Sequence, residues 1–121
     1  MGSFGNHQKL YETFKKDAQN PENSHASRVE LYFLSLFHLI EACAASSQIH
    51  INRHQAMRRV LERTPDLFGE HTETVWRAFQ TLESRLRPKF SYGFSGGEAD
   101  FREVVRIFGT VEEICLEVLD R

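Results

Sequence analysis

The chain has 121 residues, 40% of them hydrophobic and 26% charged, with a formal net charge of -2 at neutral pH. That length suits one domain with a real core and leaves no room for a second, and the composition is that of a folded globular protein rather than a disordered one. The slightly acidic balance excludes a protein that coats nucleic acid through overall charge, so an RNA contact needs a local basic patch and no DNA partner is expected.

Helical periodicity dominates, and no segment alternates as a strand does. Residues 1–6 are expected to be disordered or left from a tag, and a first helix is predicted over residues 7–19, with Leu10, Tyr11, Phe14 and Ala18 at helical spacing. Asn-Pro-Glu-Asn-Ser at 20–24 reads as a loop. Ser27 followed by Glu30 is a capping-box pattern, which predicts a second helix from there to about residue 46. It is apolar around most of its circumference, as a helix in the middle of a bundle must be. A short third helix over 53–63 stops at Thr64-Pro65, because the residue before proline resists the helical region. A fourth starts near Glu70, buries Val75, Phe79, Leu82 and Leu86, and is disrupted at Pro88. The last runs over 98–120, with Phe101, Val104, Val105, Phe108, Val111, Cys115 and Val118 as its buried face and Gly109 as a point of close helix crossing.

The predicted fold is therefore all-α: one domain over 1–121, an up-and-down bundle of four main helices plus one or two short ones, with the second and last helices as the central pair. Cys43 and Cys115 lie in apolar helical patterns and read as buried free thiols in a reducing compartment, an inter-helix disulfide being the alternative. No run of about 18 clean apolar residues exists, and no basic segment leads into an apolar one at the start of the chain. A cytoplasmic protein without a membrane partner is expected.

His50 and His54 stand four residues apart, close enough to share a metal on a helix, with His71 or Glu70 as the nearby further ligand. Ile51 stands where an HExxH motif needs Glu. The ordinary reading is a helix start capped by His50 or Asn52, and neither metal nor cofactor is predicted. His38 and Glu41 share a stripe of the second helix with Arg28, Ser35, Ala42 and Ala45, which implies close packing or a lined groove around a hydrogen-bonded histidine. No Ser-His-Asp or Cys-His grouping assembles, and Gly93 to Gly97 follows a helix rather than a strand, so the phosphate-loop context fails.

The stretch SRLRPKFSYGF over 84–94 is basic and aromatic. Arg85 and Lys89 share a helical face and Arg87 points elsewhere. Cations at a helix C-terminus are favoured by the macrodipole by about 0.3–1 kcal/mol each, which is the plain account. The functional one is that Arg85, Arg87 and Lys89 hold phosphates while Phe90 or Tyr92 stacks on a base.

From "ELYFLSLFHLIEAC" through "HINRHQAMRRVLE" and "LFGEHTETVWRAFQTLESRLRPKFSYG" to the last amphipathic helix, the chain resembles HEPN-domain proteins, small helical bundles of prokaryotic toxin–antitoxin systems, over roughly residues 27–118. Ribonuclease members of that family carry Arg, four to six residues and His, often as R-x4-H-x-Y, in a cleft between two subunits. There His moves a proton and Arg stabilises the phosphorane-like transition state. Here Arg85 to Tyr92 reads R-x4-F-x-Y, with Phe90 in the place of the histidine. The resemblance thus implies a homodimer without nuclease activity, a binding or interaction module for RNA, a nucleotide or a partner protein. Its binding candidates are Arg85 and Tyr92, then Arg87, Lys89 and His38. The alternatives are an RNA-cleaving enzyme with a displaced histidine, His38 or His54, and one half of a toxin–antitoxin pair with a nucleotidyltransferase.

Overall fold

The computed structural model describes residues 4–93 and 95–121. The chain forms the all-α, up-and-down bundle that its periodicity predicts, with no strand among the described residues. Helix α1 spans Phe4–Ala18 and α2 His25–Ala45. A 3-10 turn, His54–Ala56, leads into the short α3, Met57–Arg63. A second such turn, Gly69–His71, opens α4, Thr72–Thr81. A π-helical turn, Leu82–Leu86, follows without a break, then α5, Arg87–Ser91, and finally α6, Glu98–Leu119.

Helix α2 is central because its apolar residues leave it no solvent face: Val29, Leu36, Leu39, Ile40 and Cys43 are fully buried. It packs on α1, α4, α5 and α6, most extensively on α1 and next on α6. Its cap is Ser24, not Ser27. The Ser24 hydroxyl accepts from the Ser27 N–H at 3.1 Å. The Glu30 carboxylate that a box at Ser27 needs is drawn to Arg87 and Ser91, so the helix begins three residues early. At its other end Gln48 takes a left-handed φ of 61°, which lets the Ile49 N–H reach the Ala44 carbonyl at 2.9 Å.

Pro88 changes the helix rather than ending it. The π turn just before it, whose last bond runs from the Arg87 N–H to the Leu82 carbonyl, supplies the adjustment by which the helix passes the residue that has no N–H to donate. Three further expectations are corrected. Phe4, Gly5 and Asn6 are helical, while residues 1–3 lie outside the described residues. Val105 is exposed, and Ile107 and Ile114 take places in the core beside Phe101, Val104 and Phe108. Gly109 makes no close crossing: a Cβ there would meet nothing within 4 Å.

Both cysteines are free and buried, as expected. Cys43 Sγ donates to the Cys115 carbonyl at 3.4 Å, and burial first, then the Cys43 thiol, pushes the Cys115 thiol well above its ordinary value. No helix is long and apolar enough among the described residues to cross a membrane.

Candidate functional site

The basic stretch divides by face as the spacing predicts. Lys89 and Arg85 both turn toward α6, where Lys89 Nζ meets Asp100 Oδ1 at 3.2 Å and Arg85 reaches Glu103 at 4.0 Å. Arg87 turns to α2, where Nε donates to Glu30 Oε1 at 2.6 Å and the guanidinium lies 4.3 Å from the centre of the Phe33 ring. Arg87 and Lys89 are thereby structural ties as much as cations. Phe90 is buried, which removes it as a stacking surface, whereas Tyr92 is 76% exposed.

Arg85 edges a groove of about 250 Å³ between α4 and α6, lined also by Arg77, Thr81, Arg106 and Thr110. Three arginines therefore border one shallow groove. Arg77 is paired with Glu73 at 2.5 Å, and Arg106 grips Glu103 through two hydrogen bonds of 2.9 and 2.6 Å. That bidentate grip holds the Glu103 carboxyl below its usual range, with Arg85 adding a smaller pull.

A second cluster lies between α1 and α2. His7 Nδ1 and His38 Nδ1 are 3.0 Å apart, and Glu41 Oε1 lies 3.5 Å from the first and 3.4 Å from the second. All three side chains are mostly enclosed, at 12%, 18% and 11% exposure. Helical spacing puts His38 and Glu41 one turn apart on α2, and His7 stands on the same stripe of α1 as Tyr11, Phe14 and Ala18. Burial lowers the affinity of both imidazoles for a proton; His50 adds to this at His7, and His7 adds to it at His38. Burial raises the Glu41 carboxyl to about 7. Both rings are thus neutral near pH 7, with a lone pair on one nitrogen of each. Beside the cluster a cavity of about 120 Å³ is lined by His7, Glu41, Ala45, His50 and Asn52.

The stripe around His38 packs closely on α1: Ser35 Oγ donates to the Tyr11 carbonyl at 2.8 Å and Arg28 Nε to the Ala18 carbonyl at 2.7 Å. His50 and His54 do not share a helical face, because His50 lies in the non-helical link that precedes the turn starting at His54. His54 instead bonds Glu83 and meets Phe33 and Phe37 edge-on. His71 pairs with Glu70 at the surface. The histidine that shares a surface pocket with Lys89 and Phe90 is His25, stacked on Phe101 with ring centres 4.1 Å apart. Sequence reading passed over both His25 and His7. His7 was within its reach, since it lies one turn before Tyr11.

No family model matches the chain, and no curated protein or solved structure matches it significantly.

Proposed function

We propose that the chain is a HEPN-like bundle without RNA cleavage, a binding module that holds phosphates of RNA or of a nucleotide at the α4–α6 groove. The observation that carries this reading is the state of Arg85. Its side chain is 57% exposed, and Glu103, 4.0 Å away, is already held bidentately by Arg106. Arg85 therefore has planar donors to offer a phosphate, with Arg77 and Arg106 on the same groove to share the charge. Exposed Tyr92 supplies a face for a base.

Phe90 supports the non-catalytic part, since a buried phenyl ring moves no proton. The histidines weighed as replacements are engaged elsewhere, His38 with His7 and Glu41, His54 with Glu83. The family resemblance adds a homodimer in which Arg85 and Tyr92 of two copies face one cleft; a nucleotidyltransferase partner belongs to the alternative reading, one half of a toxin–antitoxin pair.

Fluorescence polarisation of a labelled single-stranded RNA, with ATP as competitor, tests the site. Binding should weaken with salt and fall at least about tenfold in Arg85→Glu, the scale of one charge-assisted phosphate contact. Equal binding by parent and Arg85→Glu overturns the assignment. Metal-independent RNA cleavage lost in Arg85→Ala overturns the non-catalytic reading. Light scattering checks the dimer, and a monomer at high concentration removes it.

A further inference from the structure

His38, a binding candidate by sequence, lies with His7 and Glu41 in the α1–α2 seam rather than in the α4–α6 groove. Their contact atoms close a triangle with sides of 3.0, 3.4 and 3.5 Å. Tetrahedral zinc with ligands at about 2.0–2.1 Å has ligand–ligand edges of about 3.3 Å. A triangle with sides of 3.0, 3.4 and 3.5 Å has a circumradius of about 1.9 Å, so an ion about 2.05 Å from every corner stands about 0.7 Å above its plane. That is the height a tetrahedral centre has over the face formed by three of its ligands.

We infer that His7 Nδ1, His38 Nδ1 and Glu41 Oε1 form a binding site for one divalent transition-metal ion, zinc above all, whose fourth position faces the cavity lined by His50 and Asn52. Two imidazoles and one carboxylate select zinc and its first-row neighbours over calcium and magnesium, which take oxygen ligands. The three groups come from two helices whose seam is also held by bonds that do not involve them, Ser35 to Tyr11 and Arg28 to Ala18, so the closed seam brings the triangle together without an ion. A cavity of about 120 Å³ at the cluster has room for a water on the ion. Three protein ligands plus an open position is the arrangement of reactive rather than purely structural zinc.

The 121-residue chain, stripped with chelator and exchanged into metal-free buffer, is titrated with zinc chloride by calorimetry, and with cobalt chloride by visible absorption. One ion per chain and an intense tetrahedral cobalt spectrum are expected. His38→Ala and Glu41→Gln should each weaken zinc by about 100-fold or more, at least the loss seen when a supporting group of such a site is removed. His71→Ala, remote from the seam, should leave binding as it is. His7→Ala, near the start of α1, gives the same readout should a change on α2 unfold the chain, and circular dichroism reports which variants are folded. Sub-stoichiometric zinc, an octahedral cobalt spectrum, or undiminished affinity in folded His7→Ala overturns the site.

Discussion

Arg87 donates to Glu30 at 2.6 Å while its guanidinium covers the Phe33 ring at 4.3 Å, so one side chain ties the start of α5 to α2 by charge and by packing. Its neighbour Arg85 is more than half exposed and reaches only Glu103, at 4.0 Å. Arg87→Ala should therefore lower unfolding free energy by about 1–2 kcal/mol, through a charge-assisted bond and a cation–π contact. Arg85→Ala should stay within about 0.5 kcal/mol of the parent. Urea denaturation of the two variants checks this, and the reverse order would refute the division of roles.

Gly96 is held to its identity by Phe90. A Cβ at position 96 would fall 2.6 Å from Phe90 Cε1, inside contact distance of a ring that the core already encloses. Gly96→Ala should cost about 1–3 kcal/mol as overpacking. Adding Phe90→Leu should recover part of that loss, and a double-mutant cycle with no coupling between the two would show that the clash is relieved elsewhere.

Asp100 closes the start of α6. Its carboxylate accepts from the Gly97 N–H at 3.2 Å and from Lys89 Nζ at 3.2 Å, and the backbone bond first, then Lys89, holds it below its ordinary 3.8. A depressed carboxyl contributes stability above its unfolded value and loses it as pH falls through the lower folded value. Asp100→Ala should thus lower Tm at neutral pH, and the gap should close in acid, below 3.8. A gap that persists unchanged to pH 2 would mean that Asp100 acts without its charge.

Gly109 lies exposed inside α6 with open space where a Cβ would go. Gly109→Ala should stabilise the bundle by about 0.5–1 kcal/mol, the helix-interior difference between the two residues. A loss of stability in thermal unfolding would show that some contact at this position needs the glycine.

The bundle was legible because α2 and α6 write their core faces in long apolar series, and Pro65 marks the end of α3. Finer points failed where two neighbouring residues competed. Ser24 and Ser27 can both cap, and the choice turned on Glu30 being drawn away by Arg87, 57 positions along the chain. Val105 and Ile107 both flank Val104 in apolarity, and the orientation of α6 alone decides which one is exposed. The histidine cluster joins residues 31 apart through the α1–α2 seam, a pairing that periodicity within either helix does not reveal. Arg85 was legible as a cation, but its loose pairing with Glu103 depends on Arg106, on another helix.

Helix α1 buries only Tyr11 and Ala18 fully among its described residues. Much of its attachment is polar instead: Ser35 and Arg28 bind its carbonyls, and Tyr11 and Lys15 both meet Glu112. Such seams release at lower free energy than apolar cores do, so the chain should have a detachable first segment and a durable remainder. Amide hydrogen exchange should then show α1 protons leaving well before those of α2 and α6, and uniform protection along the chain would contradict it. A seam that opens on its own can also be governed on its own, and what clasps α1 to α2 would set how long the molecule stays closed.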